Sequence, residues 1–272
     1  MASMKSLTRA DLRFHNTIED PEQRRQYRKD LGTCISQLPA SCLELNAVFA
    51  DASHGFDEHP AVTPHTPDTL CIGIRDLSTR LRHLSLDAVR VSPAIFWPAD
   101  VEQQQQQQQP PSWPHLEVLE LILEPVDSYG TFYADPTASE IAYNAANHTP
   151  ARPIESITRL VPRPERGLHQ LVTAAGRAAF RGGGGGGMPR LRELRVELPD
   201  KCGLAVELFF GQDWKGEGNF RLEWTSRPPV PWTDEIVEAW GIEWNMCEID
   251  SEEADEDGDG GYWNLEAMVP WR

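Results

Sequence analysis

A chain of 272 residues, 40% of them apolar, can bury one large core or two small ones, and nine Trp with nine Phe exclude wholesale disorder. Forty-two acidic against 25 basic side chains leave a net charge of −17, which repels a phosphate backbone or an anionic membrane, so neither nucleic acid nor membrane is expected as a partner. No run approaches the roughly 20 apolar residues of a membrane helix, and five scattered cysteines without a CxxC pair (Cys34, Cys42, Cys71, Cys202 and Cys247) point to the cytoplasm or nucleus, with the thiols read as buried small apolar groups.

Residues 1–19 mix charges without an apolar run and read as a flexible N-terminus. Asp20-Pro21 then supplies a cap and a proline at the first helical position, and Tyr27, Leu31, Cys34, Ile35 and Leu38 follow on one helical face. Pro39 ends that helix, and Cys42 to Val48 reads as a strand. A second helix opens at Asp68 and carries Leu70, Ile74, Leu77 and Leu81 before Leu84-Ser85-Leu86 alternates as a strand. A third carries Leu168, Leu171, Val172, Ala175, Ala178 and Ala179, and after a glycine run comes the strand Leu191 to Val196. Next come two strands read as a hairpin, Leu204 to Phe210 and Phe220 to Trp224, then a short helix from Asp234 to Trp240. A last hairpin is expected from Ile242–Ile249 and Tyr262–Trp271.

The domain is expected to run from 20 to 245, with disordered insertions near 52–67, 100–112, 135–164 and 181–187; the second of these holds the glutamine tract Gln103 to Gln109 and the last the glycines 182–187. Residues 246–272 read as an acidic loop and a C-terminal strand.

Three strand segments share the spacing LxxLxL: Leu81, Leu84, Leu86; Leu116, Leu119, Leu121; and Leu191, Leu194, Val196. This predicts an α/β fold, an irregular leucine-rich-repeat-like stack of helix-strand units with a largely parallel sheet, followed by C-terminal antiparallel hairpins. The leucines face the helices. The residues between them, His83, Ser85, Asp87, Val118, Glu120, Ile122, Glu193, Arg195 and Glu197, then face outward as candidate protein-binding positions. The spacing is irregular, 35 positions from Leu84 to Leu119 and 75 from Leu119 to Leu194, against the about 20 to 29 of a regular repeat. A generic α/β or α+β domain stands as the alternative.

Asp68-Thr69-Leu70, the run Leu77 to Leu86, Ser92 to Pro98, Trp113 to Leu119 and Met188 to Leu194 resemble the fungal F-box and leucine-rich-repeat-like proteins over roughly residues 20 to 245. The resemblance implies a substrate-receptor module of a cullin-based ubiquitin ligase, in which an N-terminal F-box docks the ligase adaptor. The Leu-Pro near the start, Leu38-Pro39, already serves as a helix-to-strand junction, so an F-box is not evident.

The sharpest metal motif is the run Asp255 to Glu266, which satisfies D-x-D-x-D-G-x5-E: Asp255, Asp257, Asp259 and Glu266 would give carboxylates, Gly260 the turn and Gly261 its carbonyl to a calcium ion. No exiting helix fits before Pro270, so a solvated acidic hairpin loop is the competing reading. His54, His59 and His65 read as surface histidines, and the glycine run follows a helix instead of preceding one, the reverse of a phosphate-binding turn. No GxSxG, HExxH or P-loop sequence is present. The nine tryptophans are expected mainly in the core, with a few as interface anchors. The expected function is therefore a non-enzymatic protein-protein interaction module without a cofactor, whose partner the sequence does not identify; isolated calcium binding at 255–266 is the alternative.

Overall fold

A computed structural model of the chain describes residues 6–16, 18, 20–51, 61–63, 66–96, 111–131, 133–136, 160–162, 167–180, 187–199, 205–212, 220–227, 230–252 and 262–269. Its strands are β1 (Arg9–Asn16), β2 (Glu44–Asp51), β3 (His83–Val89), β4 (Val118–Leu123), β5 (Ala134–Pro136), β6 (Leu160–Pro162), β7 (Glu193–Leu198), β8 (Ala205–Gln212), β9 (Phe220–Arg227), β10 (Cys247–Glu252) and β11 (Tyr262–Val269). Nine of them form one mixed sheet in the order β1-β2-β3-β4-β7-β8-β9-β11-β10. The first five run parallel and the remaining pairings are antiparallel.

The leucine spacing becomes a ladder. Leu45, Leu84, Leu119 and Leu194 are successive cross-strand partners, continued by Ala10 at one side and by Phe210, Leu222 and Ala267 at the other. A second row runs Ala47, Leu86, Leu121, Val196, Leu208, Trp224 and Leu265. Every residue of both rows is buried. Because side chains alternate along a strand, one fixed register puts all of them on the same face. Each fully buried leucine stabilises the fold by about 1.5–3 kcal/mol.

Among the described residues four helices cover that face: α1 (Pro21–Ser36), α2 (Thr69–Ser78), α3 (Leu168–Phe180) and α4 (Asp234–Ala239). The predicted cap at Asp20 forms, accepting from the Gln23 N–H, and Asp68, where the second helix is expected to open, caps α2 by accepting from the Cys71 N–H. The β3–β4 connection supplies a short 3-10 turn, Pro93–Ile95, and its Ala94 and Ile95 with Phe96 bury between α2 and α3. Trp113 fills in beside them, and its Nε1 donates to Ser78 Oγ at 2.7 Å. Trp240 packs on Gly176 of α3 and donates to the Val172 carbonyl at 3.2 Å.

Several expectations need correction. Arg9–Asn16, placed in a flexible N-terminus, is the edge strand β1, because Ala10, Leu12 and Phe14 alternate with Arg9, Asp11 and Arg13 and so present an apolar row to the sheet. Within the insertion expected near 52–67, Ala61 and Val62 are buried and Val62 N–H donates to the Ser128 carbonyl at 2.8 Å. In the one near 135–164, β5 and β6 pair as a separate two-stranded sheet. The expected last hairpin does form, from β10 and β11, with its first strand beginning later, at Cys247, and it joins the main sheet through its second strand, so β11 lies between β9 and β10. Of the cysteines, Cys42 and Cys71 are buried but Cys34 is exposed and Cys247 half-buried, while Cys202 lies outside the described residues. The glutamine tract, His54, His59, His65 and 181–186 also lie outside them.

Candidate protein-binding face

The helices occupy one side of the sheet, and among the described residues no helix covers the other. The predicted outward residues do meet there. Register places His83, Val118 and Glu193 side by side on β3, β4 and β7, then Ser85, Glu120 and Arg195, and then Ile122 beside Glu197; Asp87 stands at the β3 end of this patch. Their strand partners are about 4.7–4.9 Å apart, so nine side chains share one compact area.

Its polar groups divide into two sets. Arg195 bridges Glu197 at 3.0 Å and Glu207 of β8 at 3.1 Å, and on β9 Arg221 pairs with Glu223 and, at 2.9 Å, with Glu266. In contrast, the side chains of His83, Ser85, Asp87, Glu120 and Glu193 make no hydrogen bond or ion pair with another described residue. Carboxylates with water as their solvating partner are free to take donors from elsewhere. Val118 and Ile122 stand half-buried between them, so the patch mixes apolar and acidic contact.

The alternative metal site is not assembled by the described residues. Asp255, Asp257, Asp259 and Gly261 lie outside them, and Glu266 sits in mid-strand on β11 with its carboxylate on Arg221.

Sequence reasoning missed a second polar cluster, at the carboxyl ends of the parallel strands. Arg28 of α1, Asp68 at the start of α2, Ser92 after β3 and Asp127 after β4 converge there, beside a cavity of about 80 Å³ lined by Phe14, Tyr27, Phe49, Leu70 and three arginines, Arg24, Arg28 and Arg90. The β3 end is irregular: a bulge between Leu86 and Val89 leaves Ala88 at φ 54, a left-handed conformation unusual for alanine. Arg90, just beyond, pairs with Glu124 at 2.8 Å. The sequence signal for this cluster was only the cap at Asp68, because its other members arrive from distant segments.

The electrostatics of the cluster are those of buried groups. Burial alone would raise the Asp68 carboxyl, but the Arg28 charge and hydrogen bonds from Arg28 and Cys71 outweigh it and bring it down to about 2. Burial and the neighbouring Asp68 push the Cys71 thiol upward, which keeps it protonated and non-nucleophilic at neutral pH. Asp127 is raised to about 6, first by burial, and hydrogen bonds from the Thr131 and Tyr129 N–H groups offset only part of this.

A raised carboxyl makes a pH prediction. The folded state prefers neutral Asp127, so stability linked to it is full below pH 3.8 and is lost as pH rises through about 6. Asp127→Asn keeps an oxygen for both N–H donors and removes the charge. It is expected to stabilise the fold by about 1–2 kcal/mol at pH 7.5, with the gain vanishing near pH 4. Urea unfolding at the two pH values checks this; an equal effect at both would remove the titration from the account.

Comparison with family models, curated proteins and solved structures returns no significant match. Among the described residues no helix is long and apolar enough to cross a membrane.

Proposed function

We propose that this chain is a non-enzymatic protein-binding module, an irregular leucine-rich-repeat-like stack that recognises its partner with the open face of β3, β4 and β7. One observation supports this reading above the rest: among the described residues a single face of the sheet is uncovered by helices, and there His83, Ser85, Asp87, Glu120 and Glu193 on adjacent strands bond to no other described side chain. A rigid sheet holds those groups at fixed spacing, which suits recognition by a surface with little conformational cost. The acidic bias of Asp87, Glu120 and Glu193 favours a partner that brings lysine or arginine to the same area.

The resemblance to fungal F-box and leucine-rich-repeat-like proteins makes substrate reception for a cullin-based ubiquitin ligase the most concrete version. The described N-terminal residues are spent on β1, α1 and β2 of the sheet and include no separate three-helix F-box.

The test is a triple charge reversal, Asp87→Lys with Glu120→Lys and Glu193→Lys, in the full chain. None of the three side chains bonds to another described residue, so the melting temperature should shift by no more than a few degrees. Partners recovered from native cells with the wild type should be lost with the variant. A partner set that survives the reversal would move recognition off this face, and a set without cullin-complex subunits would remove the ligase version while leaving the binding module intact.

A further inference from the structure

Among the described residues, the exposed large apolar side chains are Trp244, Met246, Ile249 and Met268, at 38%, 49%, 49% and 42%. All four fall at one end of the sheet. Trp244 and Met246 belong to the 3-10 turn Trp244–Met246 that leads into β10, Ile249 is on β10, and Met268 is on its neighbour β11. Scattered single apolar residues on a surface need no explanation, but four gathered at one edge do; Ile249 stands on the helix side of that edge and Met268 on the open side.

β10 is also the last strand of the sheet, and among the described residues nothing pairs with its outer side. Its backbone N–H and C=O groups on that side are a template for another strand. The side chains along it alternate sharply. Cys247 and Ile249 are partners of Ala267 and Leu265, which places them on the helix side, where the buried rows end. Glu248 and Asp250 are partners of Glu266 and Asn264 on the open side.

A strand added here must keep this alternation, because its own side chains continue the two faces. On the helix side it meets Ile249 and the exposed rim of the core. On the open side it meets Glu248 and Asp250 in a chain already at −17. A second copy of the chain pairing through β10 would set these carboxylates against one another, which is unfavourable for directly opposed like charges. Asp250 already accepts from the Tyr262 hydroxyl at 2.8 Å, and positive charge complements it and Glu248 instead.

We propose that β10 is a docking edge that adds one extended segment of a partner protein, five or six residues in which apolar and basic side chains alternate. Main-chain hydrogen bonds extend the sheet, the apolar positions cover Ile249, and the lysines or arginines meet Glu248 and Asp250. The site is separate from the face of β3, β4 and β7, so either reading can fail without the other.

The experiment uses the full chain and two labelled octapeptides of identical composition, one with Lys and Val strictly alternating and one with four Lys followed by four Val. Fluorescence anisotropy should show the alternating peptide bound at least ten-fold more tightly. Amide exchange at residues 247–252 should slow when it binds. Ile249→Asp and Glu248→Lys, both at exposed positions, should each weaken it five-fold or more at an unchanged melting temperature. Equal binding of the two peptides would reduce the effect to bulk attraction by an acidic chain and overturn the proposal, as would no binding at all or unchanged exchange at 247–252. Glu120→Lys with Glu193→Lys, on the central strands β4 and β7 away from the edge, should leave the alternating peptide bound; if binding is lost there, the peptide occupies the centre of the sheet and not its edge.

Discussion

Replacing Asp68 with alanine is expected to cost the fold about 3–5 kcal/mol, the penalty for removing one partner of a buried ion pair. Asp68 is fully buried and its two oxygens take four donors. Arg28 Nε reaches Oδ1 at 3.1 Å and Nη2 reaches Oδ2 at 2.9 Å; the Cys71 N–H donates to Oδ1 at 3.3 Å and Ser92 Oγ to Oδ2 at 3.1 Å. One carboxylate thus caps α2, holds α1 through a two-pronged guanidinium contact and ties down the chain leaving β3. Alanine uncaps the helix, which alone costs about 1 kcal/mol, and strands Arg28, whose side chain is only 11% exposed. The stranded charge is the larger loss. Arg28→Met in the Asp68→Ala background should therefore recover part of the stability, whereas Arg28→Met alone should be destabilising. Chemical denaturation of the three variants measures the coupling; an Asp68→Ala loss under about 1 kcal/mol would show that the contact adds little.

The same carboxylate sets the acid side of the stability profile. A group lowered to about 2 contributes stability above pH 3.8, and this is lost as pH falls toward 2. Asp127, raised to about 6, acts in the opposite sense in the next segment of the cluster. Between the two, the fold gains from Asp127 protonation before it begins to lose from Asp68 protonation.

The elements legible in the sequence were those whose signal is local. Asp20-Pro21 and Asp68 announce helix starts because a cap acts within three residues. The leucine triplets announced the ladder because a period-two pattern with repeated spacing can satisfy several strands in one register only. That same register carried the candidate face, since whatever lies between ladder leucines must point the other way. β1 was legible in principle: Ala10, Leu12 and Phe14 alternate with charges, but three apolar residues among arginines gave a weaker signal than leucines. What stayed hidden was set by distance along the chain. The Arg28–Asp68 contact spans 40 residues, and no local pattern announces it. The position of β11 between β9 and β10 follows from which strand of a hairpin meets an existing edge, and both strands alternate.

The second large effect lies where α1 crosses α2. A side-chain carbon added to Gly73 would stand 2.3 Å from the Gly32 carbonyl oxygen and 2.9 Å from its carbon, and one added to Gly32 would stand 2.4 Å from the Thr69 oxygen and 2.8 Å from Leu70 Cα. These are backbone atoms, so relief requires moving a helix. Glycine within a helix costs about 1 kcal/mol relative to alanine, and two facing glycines in adjacent helices need a reason. The spacing of the layers supplies one. Neighbouring strands stand about 4.8 Å apart, whereas packed helices stand about 8–10 Å apart, so a stack with one helix per strand outgrows its own sheet. Backbone contact at Gly32 and Gly73 narrows the helix layer, and the short Pro93–Ile95 turn, the described helical part of the β3–β4 connection, takes less width than a helix. Gly73→Ala and Gly32→Ala should each destabilise the protein by about 1–3 kcal/mol despite the gain in helix propensity. Because the first substitution already separates the helices, the double variant should lose less than the two single losses together. Urea unfolding of the three proteins decides it: if either alanine stabilises the chain, the crossing is looser than described and the glycines do not set the width of the helix layer.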